Sequence, residues 1–381
     1  MAGPPQTAPW APRRRSGIPA ATPFSLTVGA GPGARPRTTA DDAATPSPNA
    51  PALTDAPPAP PVSVICTVLN EANNIADMLL SLLAQTRLPQ EIVIVDAGSR
   101  DDTVGVIERL ARQILFPVRV LVKPGANRSA GRNIAIREAD GPLIAATDAG
   151  CRAEPQWLER LVAPLESGEA QVAAGFYQPD CDSPFEEVVA ALCFPALEKI
   201  NPDTFLPSSR SVAFLKQAWQ AVGGYPEEYA YAEDTWFDLK LRRAGFRFRF
   251  VPEALVRWRM QTSLRAVYRQ FRAYAGGDAR AGLFWRHYWK VPLGLALLLV
   301  LSLASSFAWG LPLTAAVTLL YYLAKGLKVT LLTRHGLYSL LVGMLVAATT
   351  DLGNFVGFTK GLWARRRERK AQQKPEPPGQ G

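Results

Sequence analysis

Between Val62 and Asp148 the chain alternates four short runs of aliphatic and β-branched residues with three segments of helical spacing. The runs are VSVICTVL, EIVIVD, VRVLV and PLIAAT; the intervening segments are IADMLLSLLAQT, RDDTVGVIERLARQ and NRSAGRNIAIREA. Runs this short and this uniformly apolar predict strands buried on both faces. Strands that return in the same direction need crossovers, and the intervening helices supply them. The expected fold class is α/β, a mostly parallel sheet with helices on both faces. Ligands of such sheets bind beyond the carboxyl ends of the strands. Glu71, Asp96 and Asp148 each follow or close one of the runs, so all three carboxylates fall at that edge.

The rest of the chain has a different composition. Residues 1–60 are rich in Pro, Ala, Gly, Ser and Thr, cannot bury enough surface to offset their ordering entropy, and read as a disordered leader. The Arg13-Arg14-Arg15 cluster is not followed by the apolar run of a secretory signal. Past residue 290, VPLGLALLLVLSLASSFAWGLPLTAAVTLLYYLA holds two apolar runs separated near Gly310-Leu311-Pro312. Each is close to the roughly 20 residues that a membrane span needs, so a transmembrane hairpin is expected, with Lys325 and Lys328 snorkelling at one end. A third run, LYSLLVGMLVAATTDLGNFVGF, contains Asp351 and Asn354 and is read as an irregular segment that spans, re-enters or lies against the other two. The expected divisions are leader 1–60, α/β domain 61–285, membrane region 286–363 and a basic disordered tail 364–381.

Lys and Arg exceed Asp and Glu by 42 to 33, and much of the surplus lies in residues 242–290 and in Arg365-Arg366-Arg367-Glu368-Arg369-Lys370. Both groups flank apolar segments, which points to anionic lipid head groups and retention of those flanks in the cytosol. Nucleic acid is not an expected partner, because no helix-turn-helix, zinc or aromatic single-strand pattern accompanies the charge. The cysteines Cys66, Cys151, Cys181 and Cys193 lack C-x-x-C spacing and partner histidines, so neither a disulfide framework nor a zinc site is expected.

Five segments carry candidate chemistry, in the order VSVICTVLNEANNI, EIVIVDAGSRDDT, GANRSAGRNIAI, LIAATDAGC, and GGYPE with YAEDTWFDLKLRRAGFRFRFVPEA. Residues 62 to about 285 thereby resemble the family 2 glycosyltransferases. The resemblance implies a Rossmann-like, GT-A-like nucleotide-sugar domain followed by transmembrane helices. It further implies inverting transfer of a single sugar from a nucleotide-diphospho-sugar to a lipid-linked or membrane-proximal glycan acceptor, in envelope glycan or glycolipid synthesis. The implied location is the cell membrane, multi-pass, with the catalytic domain in the cytoplasm.

Residue by residue, the resemblance places Glu71 and Asp96 in the nucleoside pocket, where carboxylates accept hydrogen bonds from a base and a ribose. Asp96 before Gly98-Ser99 also has the place of a turn former, the lesser reading, while Asp101 matches an acid of the family motif and a helix cap equally well. Arg128 or Arg132 suits diphosphate oxygens through its planar fork. By the resemblance Asp148 stands where the family's Asp-x-Asp motif opens, which implies that it holds a divalent cation, Mg2+ or Mn2+, against the diphosphate. Asp234 is the implied catalytic base and Glu233 the neighbour that shapes its environment.

Three positions depart from the family pattern. Ala97 and Gly150 stand where second acids are common, and Gln270-Phe271-Arg272-Ala273-Tyr274 breaks the Gln-x-x-Arg-Trp spacing of processive members. The helix around Gln270 is basic and amphipathic, which fits a membrane surface as well as a phosphate grip. These departures leave open a catalytically silent nucleotide- or lipid-binding scaffold in an envelope-synthesis complex.

Overall fold

The computed structural model describes residues 59–284, 286–290 and 307–372, with scattered positions between 291 and 306. The expected leader and most of the first apolar run lie outside them. Four strands, β1 (Val62–Val68), β2 (Glu91–Asp96), β3 (Val118–Val122) and β4 (Leu143–Ala146), pair in parallel in the order β3-β2-β1-β4. They are joined by α1 (Ile75–Leu83), α2 (Thr103–Ala111) and α3 (Arg128–Glu138).

Both faces of this half are covered, as predominantly apolar strands require. Val64, Cys66, Ile92 and Ile94 pack with Leu79 of α1 and with Trp157 and Leu161 of α4 (Trp157–Glu166). Their alternate neighbours Ile65, Val93 and Val95 pack on the opposite side with Ala135 and Ile136 of α3. Helix α3 lies close to the sheet at Gly131, where a Cβ would come within 2.8 Å of the Thr67 methyl. That close approach brings the first turn of α3 over the ends of β1 and β2.

The sheet then turns mixed. Beyond β4 come β7 (Val212–Leu215), β6 (Val172–Asp180), β8 (Phe248–Arg259) and β5 (Cys151–Ala153), with β4–β7, β7–β6 and β8–β5 antiparallel and β6–β8 parallel. Helices α5 (Pro184–Cys193), α6 (Lys216–Ala221) and α7 (Glu233–Arg243) connect them, and Phe237 and Leu241 of α7 complete the core on the α3 side.

Among the described residues three long helices follow: α8 (Leu264–Ala281), α9 (Phe307–Leu332) and α10 (Leu337–Gln372). Helices α9 and α10 contain segments long and apolar enough to cross a membrane, Pro312–Leu332 and Leu337–Lys370. Three expectations change here. The break placed at Gly310-Leu311-Pro312 falls inside α9, near its start, where a proline costs few backbone hydrogen bonds. The third apolar run is a continuous helix of 36 residues, since Lys325 and the Tyr321 hydroxyl satisfy Asp351 at 3.0 and 3.2 Å. The basic tail is helical to Gln372, its residues being good helix formers and Glu368 being paired with Arg280 at 2.8 Å.

Candidate active site

The carboxyl edge of the sheet collects side chains from α7 and from the end of β4 around one guanidinium of α3. Asn127 caps α3 by accepting from the Ala130 amide at 2.9 Å, which fixes the helix start and so the direction of Arg128 and Arg132. Arg132 is 3% exposed and donates to Glu233 Oε1 at 2.7 Å, Asp234 Oδ1 at 3.0 Å and Asp148 Oδ1 at 3.3 Å. Burial alone would weaken its charge, but Asp234, Glu233 and Asp148 overcome that and hold its proton well above the ordinary value. Asp148 is far in sequence from the adjacent Glu233 and Asp234, and Arg132 joins it to them.

The carboxylates are not equivalent. Glu233, with 7% of its side chain exposed, is shut in, and burial together with Asp234's charge raises its pKa. Asp234 and Asp148 keep 24% and 31% of their side chains open to the cavity. The hydroxyl and amide of Ser209 also hold Asp234, at 2.5 and 3.2 Å, so its carboxylate has one orientation. Burial works to raise the Asp148 pKa, but Arg132, Arg210 and Arg128 reverse that and leave it below the usual carboxylate range.

Two cavities meet here. One, of about 330 Å³, is lined by Arg128, Arg132, Asp148, Arg210 and Asp234 and closed on the α8 side by Tyr274 and Asp278. The other, of about 310 Å³, is lined by Thr67, Glu71, Ala97, Asn127 and Gly131. Arg128 and Tyr231 belong to both walls, with the guanidinium 4.6 Å from the ring centre. A ligand with a ring at one end and a polar group at the other could thread past them.

Models of two related families match the chain, glycosyl transferase family 2 over residues 63–205 and glycosyl transferase family group 2 over residues 144–348. The chain belongs to glycosyltransferase family 2. It is 28% identical over 211 residues to the glycosyltransferase AglE of Haloferax volcanii, covering 51% of this chain and 66% of that one. It is 27% identical over 257 residues to the succinoglycan biosynthesis protein ExoA of Rhizobium meliloti, covering 63% of this chain and 74% of that one. Among solved structures it resembles the mannosyltransferase PcManGT of Pyrobaculum calidifontis in complex with GDP-Man and Mn2+. That match has a TM-score of 0.51 and 20% identity, covering 80% of this chain and 88% of that chain, and shows the shared GT-A-like fold.

Within this glycosyltransferase the residues expected to line a nucleoside pocket are placed differently. Glu71 lines the smaller cavity; burial raises its pKa although the Asn74 amide donates to it at 2.8 Å. Asp96 is wholly buried and uses Oδ1 to accept from the Gly98 and Ser99 amides, both at 2.8 Å, as a turn former does. Its Oδ2 is buried without a partner. Asp101 serves the chain itself, accepting from Thr103 and from the Ala72 amide.

Arg210 was not singled out by sequence, because it stands alone in SSRSV with no motif around it. Its guanidinium lies 3.8 Å from the Trp258 ring centre, donates to Tyr274 Oη at 3.0 Å and stands 3.9 Å from Asp148. Burial opposes its charge, while Tyr274 and Asp148 favour it, and the net effect is a pKa raised above the ordinary value. Arg272 of the altered Gln-x-x-Arg-Trp segment lines a different cleft, and Tyr274 reaches the site instead.

Among the described residues no group of three or more His, Cys, Asp or Glu side chains is placed to hold a metal. Asp148 fits the single-carboxylate case. Arg132 holds it less tightly than it holds Glu233 or Asp234, and beside it a Cβ on Gly150 would meet nothing nearer than Trp258 at 3.9 Å. Such a cation takes its other ligands from phosphate and water.

At the rim, Tyr288 donates to Asp278, yet burial pushes the Asp278 carboxyl up to about 6. Between its ordinary value near 4 and about 6, the folded protein therefore binds a proton that the unfolded chain releases. Stability falls as pH rises through that window and stays lower above it. Asp278→Asn should add about 1–2 kcal/mol at neutral pH, a few degrees in the thermal midpoint, and almost nothing near pH 4. An equal gain at both pH values would rule out the buried charge as its cause.

Proposed function

We propose that the protein is a membrane-anchored, inverting glycosyltransferase that moves a single sugar from a nucleotide-diphospho-sugar to a lipid-linked or other membrane-proximal acceptor. The setting that suits it is envelope glycan or glycolipid synthesis, and ExoA, named for succinoglycan biosynthesis, supports that class of product. The observation that carries the reading is the Arg132 cluster, which gathers Asp148, Glu233 and Asp234 where the two cavities meet.

The nucleoside lies in the cavity lined by Glu71, with the unpartnered Asp96 Oδ2 behind it as a further acceptor. The diphosphate passes Arg128 and reaches Arg210, whose stacked guanidinium is already oriented. Arg132, occupied by three carboxylates, positions Asp148 and Asp234 rather than gripping phosphate. Asp234 takes the proton of the acceptor hydroxyl as that oxygen bonds to the anomeric carbon and the bond from that carbon to the diphosphate breaks. A Mg2+ or Mn2+ ion held by Asp148 would supply added positive charge to the diphosphate oxygens. PcManGT, which shares the fold, is described with Mn2+.

Purified full-length protein should release nucleoside diphosphate from UDP- or GDP-sugars in the presence of membrane lipid extract, with less release when a chelator is added. Donor binding without turnover across a broad acceptor panel would instead select the silent scaffold. Gly150→Asp should tighten Mn2+ binding about tenfold, since the space beside Gly150 admits a second oxygen ligand; Asp148→Ala should abolish it. Titration calorimetry with Mn2+ and nucleoside diphosphate reads both. No change in either variant would remove the cation from Asp148.

A further inference from the structure

Helices α8 and α10 touch backbone to backbone. A Cβ on Gly357 would come within 2.2 Å of the Arg272 carbonyl oxygen, and one on Gly361 within 2.3 Å of the Gly276 carbonyl oxygen. Beside that contact lies a cleft of about 350 Å³, walled by the two helices and by the loop 229–231. It is as large as either cavity of the active site, and Tyr231 belongs to the walls of all three. One aromatic ring therefore separates it from the cavity that holds Asp234.

Three cations line the cleft, Arg272 and Arg280 from α8 and Lys360 from α10. Glu368 pairs with Arg280 at 2.8 Å. The guanidinium of Arg272 lies 5.9 Å from the Tyr268 ring centre, and among the described residues no carboxylate pairs with it or with Lys360. Asp278, the acid of α8, is turned to the catalytic cavity and accepts from Tyr288. Three cations against one carboxylate leave two positive charges for an anion from outside. A guanidinium that can fork onto two oxygens, beside an ammonium that acts as a point charge, suits phosphate. On the same stretch of α10, Leu352, Phe355 and Trp363 are exposed and offer apolar surface to a hydrocarbon chain.

We infer that this cleft binds the phosphate or diphosphate through which the acceptor's sugar is joined to its carrier lipid. The inference rests on the lipid-linked reading above and says where that acceptor is held. Arg272 and Lys360 grip the phosphate, the hydrocarbon chain lies along α10, and the sugar passes Tyr231 to reach Asp234.

Titration calorimetry on full-length protein in nonionic detergent tests this with farnesyl diphosphate, inorganic diphosphate and farnesol as probes. Arg272→Gln and Lys360→Gln should each weaken farnesyl diphosphate binding by about tenfold or more, the scale of a lost hydrogen bond between charged groups. Both side chains are exposed, so the fold does not depend on them. Ala364→Leu narrows the cleft without changing its charge and should weaken the same binding. Farnesol and nucleoside diphosphate should bind all three variants as they bind the parent protein. Farnesyl diphosphate that fails to bind, or that binds parent and variants alike, overturns the inference. An equal loss of nucleoside-diphosphate affinity overturns it too, because the cleft would then belong to the donor site. Inorganic diphosphate that binds as tightly as farnesyl diphosphate, with the same losses, removes the lipid and leaves a site for a free anion. The glycosyl-transfer reading fails separately: variant-sensitive binding in a protein that transfers no sugar sinks that reading and keeps the cleft, whereas transfer to a lipid-linked acceptor untouched by the three substitutions sinks the cleft alone.

Discussion

Asp234→Asn should lower sugar transfer by about 10²–10⁴-fold, the range associated with loss of a general base, while donor affinity changes by less than about threefold. The amide keeps the size of the carboxylate and its oxygen can still accept from Arg132 and from the Ser209 hydroxyl, losing only the longer bond from the Ser209 amide, so the loop before β7 and the start of α7 stay in place. What it loses is the capacity to take a proton. Glu233 does not substitute, because its carboxylate is shut in and fastened to Arg132 at 2.7 Å, away from the open part of the cavity. The measurement is steady-state transfer together with nucleoside-diphosphate binding on the same preparation. A loss of only a few fold in turnover would move the base elsewhere. A large loss in donor affinity with turnover unchanged would make Asp234 a binding residue.

The edge at which this chemistry sits was legible in the chain. Strands dominated by apolar residues, with Ser63 and Thr67 the exceptions between Val62 and Val68 and none between Ile92 and Val95, leave few alternatives to a sheet covered on both faces, and its carboxyl edge follows from the order of elements. The acids at those ends are visible in one dimension, and the family pattern attaches roles to them. Arg210 was not visible. Its importance comes from Trp258, Tyr274 and Asp148, which converge on it from three different segments, and no local spacing encodes that meeting. For Asp96 the turn chemistry readable in Asp-Ala-Gly-Ser prevails for one carboxylate oxygen, and the fold leaves the other unpaired. The third apolar run shows the limit of composition in the other direction. Asp351 and Asn354 made it look irregular, whereas Lys325, a residue of the preceding helix, neutralises Asp351 and keeps α10 regular.

Arg132→Lys keeps the charge and should still disable the site. A guanidinium offers several donors in a fixed plane and here serves three carboxylates at once, whereas an ammonium on a flexible stem cannot span them. Full removal of the charge leaves buried carboxylates facing each other, a change that typically costs about 3–5 kcal/mol, so Arg132→Ala is expected to fold poorly and reports on little else. The lysine variant separates the two effects. Stability should fall by about 1–2 kcal/mol, the scale of one or two lost charge-assisted hydrogen bonds. Turnover should fall by about 10²-fold or more as Asp148 and Asp234 lose their common anchor. The pH profile carries the distinguishing signature. Burial and the charge of Asp234 already raise the Glu233 pKa, and Arg132 is the cation that opposes them. With that opposition weakened, Glu233 takes up its proton at higher pH, so the acidic limb of the kcat profile should move upward. A lysine variant with lowered turnover but an unmoved acidic limb would show that Arg132 acts on the substrate directly rather than through the acids it holds.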